Sequence, residues 1–145
     1  MPVTVKRIEL WRKEVVNRAG VLAETLQPFA GAKADLQVVM GYRYPGAEKK
    51  CAVEIYPVNK KLTASAQGAG LTASSIPTLL VEGDNKAGLG HATTKAIADA
   101  GINLSFLVVQ VVGRKYSAVV GFENESDAEK ASTIIKKVSL GKKKR

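Results

Sequence analysis

Residues Asn17-Arg18-Ala19-Gly20-Val21-Leu22 and Asn85-Lys86-Ala87-Gly88-Leu89-Gly90 echo each other at an offset of 68 positions. At the same offset, with no gap, Ala32-Lys33-Ala34-Asp35-Leu36 meets Ala100-Gly101-Ile102-Asn103-Leu104. Solenoid repeats are shorter and more numerous, so two copies at this period point to a duplicated small domain. The chain has 145 residues, of which 46% are hydrophobic, material for one good core or two small abutting ones.

The second copy is the clearer one. Thr78-Leu79-Leu80-Val81 predicts a strand over 78–82 that runs into a turn at Gly88, where glycine takes dihedrals other residues resist. Ala92, Thr93, Ala96, Ile97 and Ala100 then recur at helical spacing over 88–100, and Gly101 stands where a left-handed C-cap is wanted. Strands over 102–112 and 116–122 follow, joined by a turn at Gly113-Arg114-Lys115. Ser126-Asp127-Ala128-Glu129 has the form of a capping box, opening a last helix whose Ala128, Ala131, Ile135 and Val138 share one face.

The first copy repeats this order. Over 5–11, Ile8 and Leu10 alternate with Arg7, Glu9 and Trp11, the period-2 pattern of one half-buried strand. Val21, Leu22, Leu26 and Phe29 mark the helix, which Pro28 is expected to kink or end near Gln27, since proline lacks the N–H that would bond to Glu24. Leu36, Val38, Met40, Tyr42 and Tyr44 alternate cleanly with Gln37, Val39, Gly41 and Arg43; a turn at Pro45-Gly46 leads to a returning strand over 51–58, with Cys51, Val53 and Ile55 on one side. A weak helix over 59–71 and a short strand or linker over 71–77 close the copy. The expected fold is α+β: two ferredoxin-like βαββα(β) units with antiparallel sheets and helices packed on one side, over 1–74 and 77–140, and a basic tail at 141–145.

One strand asks for more cover than such a unit gives. From Leu104 to Val112 both faces are apolar, whereas a sheet with helices on one side should have a polar free face. The strand should therefore be covered twice, by the other copy or by a second chain, and a homodimer is expected.

Composition excludes several classes. No run approaches a membrane span, and the first residues lack the apolar stretch of a signal peptide, so a cytoplasmic protein is expected. A single cysteine, Cys51, and a single histidine, His91, supply neither a disulfide nor a transition-metal cluster, and no metal or cofactor is expected. The net charge of +9 is spread over both halves, apart from Lys142-Lys143-Lys144-Arg145, which reads as a solvated tail.

The glycine turn at 88–90 begins like a dinucleotide fingerprint, but Thr93 occupies the third glycine position and Asp84 precedes the turn where a pyrophosphate would lie. A carboxylate suits it better. The first N–H groups of the helix, around Leu89 and Gly90, lack intrahelical partners and sit at the positive end of its dipole. With Asp84, Asn85 or Asn103 accepting from an ammonium group, one small zwitterion would be held at both ends.

These residues also resemble a known family. D-N-K-A-G-L followed by A-G-I-N-L is similar to the loops of the ACT domain, D/N-x-P-G-x-L and G-x-N-I, with Ala19 and Ala87 in place of the common proline. The resemblance spans essentially the whole chain as two tandem copies. It implies a ferredoxin-like sandwich, amino-acid binding between paired copies, and regulation of an enzyme or of transcription. By this resemblance Asn85, Ala87, Gly88, Leu89 and Asn103 bind ligand in the second copy, and Asn17, Gly20, Val21 and Asp35 are the matching positions in the first. Lys33 and Asp35 stand where the second copy has Gly101 and Asn103, a departure that marks the first site as altered or structural. The alternative role of Asn103 is an Asx hydrogen bond to local backbone.

The function expected is thus a non-enzymatic amino-acid sensor acting through assembly or through a regulated enzyme or regulator. The alternative is a nucleic-acid-binding module, which shares this topology but needs exposed aromatics on its central strands. No paired acid and base at recognisable spacing supports catalysis.

Overall fold

The stretch expected as one strand over 5–11 is shared between two sheets. In the computed structural model, which describes residues 3–141, β1 (Thr4–Ile8) pairs antiparallel with β6 (Thr78–Asp84), from Thr4 opposite Glu82 to Ile8 opposite Thr78. Beyond Glu9 and Leu10, β2 (Trp11–Val16) pairs instead with β4 (Ala47–Tyr56). The units are therefore not the contiguous 1–74 and 77–140. An inserted unit, Glu9–Ser75, interrupts a split unit made of the residues up to Ile8 and those from Ile76 onward.

The reason lies in the strand count. The split unit continues with α3 (Leu89–Asp99), β7 (Leu104–Val112), β8 (Lys115–Phe122) and α4 (Glu125–Gly141), and its sheet runs in the order β1-β6-β8-β7. No strand follows α4 among the described residues, so without β1 the edge of β6 would be open. The inserted unit supplies its own fourth strand. There α1 (Val21–Gly31), β3 (Val38–Tyr44), α2 (Thr63–Gly68) and the two-residue β5 (Thr72–Ala73) complete a sheet in the order β3-β4-β2-β5. Both sheets are antiparallel, as expected of α+β ferredoxin-like units. The run Lys142 to Arg145 lies outside the described residues, and Gly141, expected in the tail, is the last residue of α4.

Each unit has its own core. Leu79 and Val81 of β6, Ala118, Val120 and Phe122 of β8, Ile97 of α3 and Ala128, Ala131 and Ile135 of α4 close on one another in the split unit. Val15, Cys51, Val53, Ile55 and Phe29 do so in the inserted unit, so Cys51 is the buried small hydrophobe its alternation implied.

Two local expectations fail for physical reasons. Pro28 does not end α1, which runs on to Gly31 and matches α3 in length, 11 residues each. Phe29, 1% exposed, anchors the last turn, and the N–H groups of Ala32 and Ala34 donate to the carbonyls of Pro28 and Phe29, so packing overrides the lost bond. The box at Ser126 is displaced by Asn124. Its Oδ1 accepts from the Asp127 N–H at 2.8 Å and its Nδ2 donates to the Asp127 carboxylate at 3.3 Å, which places the cap at the first residues after β8.

On β3 the alternation was right, but Val39, Gly41 and Arg43 share the face of the core residues Cys51, Val53 and Ile55, which leaves Met40, Tyr42 and Tyr44 on the helix-free face. There the Tyr42 hydroxyl donates to Glu54 Oε2 at 2.6 Å and Arg12 donates to the Tyr44 hydroxyl at 2.7 Å. Glu54 is 2% exposed, and its Oε1 has no hydrogen-bond partner among the described residues.

Within the single chain β7 is not covered twice, which leaves a second copy as the remaining expected cover. It is an edge strand whose Leu107, Val108, Val109, Val111 and Val112 remain 41–71% exposed.

Candidate functional site

Both repeats build the same helix start. Gly20 and Gly88 cap α1 and α3 in the left-handed region, at φ 87° and 83°, which folds the chain back from the preceding strand onto the helix. In the split unit the Asn85 N–H donates to Arg114 O at 2.8 Å and Lys115 lies 3.1 Å from the Asp84 carboxylate, so the turn is tied to the β7–β8 connection. The N–H of Leu89, expected to be free, donates to Lys86 O at 3.1 Å, and that of Ala92 donates to Gly88 O at 3.0 Å. This leaves Gly90 and His91 to present unpaired N–H groups among the described residues.

Beside this turn a cavity of about 270 Å³ runs under α3. Asn85, Leu89, Gly90, Thr93, Thr94 and Ile97 form its turn and helix wall; Val81, Leu107, Val109, Tyr116, Ala118 and Val120 form its sheet floor, and Leu104 and Ile135 complete it. The lining is mainly apolar, without a charged side chain. Its polar groups are Asn85, the two threonines and the Tyr116 hydroxyl. The Thr94 hydroxyl is committed to Gly90 O at 2.8 Å. Burial pushes the Tyr116 phenol up, so it stays protonated at neutral pH and remains a donor.

The structure brings together some of the expected residues. Asn85 and Leu89 line the cavity; Ala87 and Gly88, in the turn between them, are exposed and are not among its lining residues. Asn103 does not join them within the unit. It follows the far end of α3, about 16 Å away for 11 residues at about 1.5 Å each, and its Nδ2 donates to Glu123 Oε1 at 3.0 Å. In the inserted unit, Asn17, Gly20 and Val21 line a shallower, more open hollow with Leu22 and Gly41, whereas Asp35 lies in a separate one with Lys33 and Lys61. Lys33 holds φ 57° where Gly101 holds 77°, so the substituted position keeps the left-handed turn.

Gly90 is expected from the sequence as an N–H donor, but Thr93, Thr94, Val109 and Tyr116 are not foreseen as site residues. The repeat itself carried their signal, for at the 68-residue offset Leu22 becomes Gly90 and Leu26 becomes Thr94.

No protein-family model matches the sequence, and no curated protein sequence does. Solved structures do. The chain is similar to protein BT0572 from Bacteroides thetaiotaomicron, with a TM-score of 0.72 at 10% identity, over 92% of this chain and 98% of that one. The ligand-free regulatory subunit of aspartate kinase from Thermus thermophilus matches with a TM-score of 0.64 at 15% identity, over 95% and 97%. That from Thermus flavus gives 0.56 at 14%, over the same shares. The chain has the tandem ACT-like fold. These matches run almost end to end, so they cover both units. No helix among the described residues is long and apolar enough to cross a membrane.

Proposed function

We propose that this protein is a non-enzymatic regulatory module of the cytoplasm that binds a free amino acid, or a similar small zwitterion, at the start of α3, and acts as a homodimer or on an enzyme or regulator it contacts. The observation that carries this reading is the cavity beside the Gly88 turn, lined by Asn85 and by Gly90, the first of two successive residues at the helix start whose N–H groups are unpaired among the described residues. The N–H groups of Gly90 and His91, at the positive end of the helix dipole, receive a carboxylate, and the Asn85 side-chain oxygen accepts from the ammonium group. Asn103, at the other end of α3, reaches a ligand only from another copy. Asn17, Gly20 and Val21 form the corresponding, shallower site, and Asp35 stands apart from it. The matched aspartate kinase structures are regulatory subunits, which supports regulation rather than catalysis. On the nucleic-acid alternative, the aromatic residues of the central strands β2, β4, β6 and β8 are Trp11, Tyr56, Tyr116 and Phe122, all buried or half-buried and poorly placed to stack bases.

The test is a thermal-shift screen of the twenty amino acids at millimolar concentration. A ligand at about one hundred times its dissociation constant stabilises the fold by about 2.7 kcal/mol, roughly 5–10 °C for a chain of this size. Gly88→Val removes the shift by forcing a β-branched residue into the left-handed turn. A flat response to all twenty would end this reading.

A further inference from the structure

The two helices differ where it matters for what the cavity can hold. α1 and α3 are each 11 residues long and start on a left-handed glycine, but α1 carries Leu22, Leu26 and Phe29 where α3 carries Gly90, Thr94 and Ile97. The facing strand shows the reverse exchange at one position, Gly41 in β3 against Val109 in β7. In the inserted unit Leu22 lies over Gly41: a β-carbon built there would stand 3.7 Å from the Leu22 Cδ2. Leu26 packs against that unit's core. In the split unit nothing lies within 4 Å of a β-carbon built on Gly90, and the space beside it is part of the cavity over Val109. The inserted unit thus lays its own part-exposed isobutyl group over the strand position above which the split unit has a hole.

We propose that the cavity under α3 takes the branched aliphatic side chain of an apolar amino acid, and that the inserted unit is the self-occupied sister whose Leu22 stands in for that ligand. The proposal rests on the amino-acid reading of the Gly88 turn and adds the class of side chain. About 270 Å³ lies just under the range of about 300–1,000 Å³ typical of drug-sized ligands, a size suited to a small amino acid. A charged side chain is disfavoured, because the cavity offers no counter-charge and burial of an unpaired charge is expensive. An aliphatic one gains contact with Leu107, Val109 and Ile97. A carboxylate remains free to meet the N–H groups of Gly90 and His91 at the helix start.

The experiment measures melting shifts of the full chain with leucine, isoleucine, valine, alanine, lysine, aspartate and 4-methylpentanoate, the last having leucine's chain and carboxylate without the ammonium group. Leucine and its branched relatives are expected to shift the melt, with alanine at least about ten-fold weaker. Gly90→Leu, which copies Leu22, should weaken leucine binding at least ten-fold without lowering the unliganded melting temperature, since φ at Gly90 is ordinary and the space is open. Thr94→Leu provides a second block at the same cavity. If lysine or aspartate shifts the melt and the aliphatic residues do not, the amino-acid reading stands and this inference falls. If 4-methylpentanoate binds as tightly as leucine, the aliphatic pocket stands and amino-acid recognition falls. If leucine binds both blocking variants undiminished, or no probe binds at all, the pocket assignment is overturned.

Discussion

Val112→Lys tests whether β7 is a dimer edge. Val112 is 71% exposed, and Leu107, Val108, Val109 and Val111 are each about half exposed, together the equivalent of roughly two and a half uncovered side chains. At about 1.5–3 kcal/mol for fully burying one of them, covering β7 would contribute at most about 4–8 kcal/mol per copy. Two copies in an isologous contact reach about twice that, the same order as the estimated cost of association, about 4–15 kcal/mol. Only where the upper end of that gain, about 16 kcal/mol, meets a cost near the middle of its range, about 9 kcal/mol, does a surplus of about 7 kcal/mol remain, a dissociation constant of about ten micromolar. The exposed part of Val112 accounts for about 1–2 kcal/mol per copy by the same rule, hence about 2–4 kcal/mol per dimer. At about 1.4 kcal/mol per factor of ten, Val112→Lys should raise the dimer dissociation constant roughly 30- to 1,000-fold. The lysine also blunts the strand edge in the manner natural edges use. Sedimentation equilibrium across a micromolar range measures both constants. A strictly monomeric wild-type chain at tens of micromolar, or a Val112→Lys constant equal to wild type, refutes the reasoning.

Three further outcomes follow from particular residues. Lys33→Gly should stabilise the inserted unit by up to about 1 kcal/mol, as relief of about 1–2 kcal/mol of left-handed strain exceeds the added chain entropy, whereas Gly101→Lys should cost about 1–2 kcal/mol; urea unfolding of both checks the sign. Tyr42→Phe leaves a second oxygen of buried Glu54 unpartnered, a cost of about 1–3 kcal/mol in the same assay. It should also remove the last tyrosine to ionise in an alkaline absorbance titration, because burial and then the bond to Glu54 push the Tyr42 phenol up to about 12. A raised tyrosine stabilises the fold fully below the unfolded value of about 10, and that contribution is lost as pH rises through 12. Deleting 142–145 should leave melting and ligand shifts unchanged and reduce any weak, salt-sensitive binding to nucleic acid.

Local pattern was enough to read most elements and the duplication, because strand alternation, glycine turns and helical spacing are written in adjacent residues. It was not enough for pairing. Glu9 and Leu10 interrupt the first strand with no glycine or proline to mark the break, and that Thr4–Ile8 pairs with a strand some 70 residues on is decided by the open edge of β6. The same limit explains Pro28, whose helix-breaking tendency lost to the burial of Phe29. For the site, Asn85 and Asn103 belong to one motif in sequence yet sit at opposite ends of α3, a separation set by helix length alone. The cavity was hardest to foresee because it consists of missing side chains. Leu22 against Gly90 acquires meaning only when β3 and β7 show which of their faces lies under the helix.

The cavity and the dimer edge share residues, and that sharing gives a ligand something to regulate. Leu107 and Val109 line the hollow under α3 and are also among the exposed side chains of β7. A ligand seated there covers part of them from the helix side and fixes their rotamers, which changes the entropy still to be lost when a second copy packs on the strand. Ligand can move the assembly only by its difference in affinity for monomer and dimer. The effect must also be reciprocal: the factor by which a ligand tightens the dimer is the factor by which dimerisation tightens the ligand. Leucine affinity measured at protein concentrations well below and well above the dimer dissociation constant should therefore differ, and Val112→Lys should hold it at the monomer value throughout. Equal affinities at both concentrations would leave the pocket and the edge as independent features, and regulation would then have to pass through a different partner.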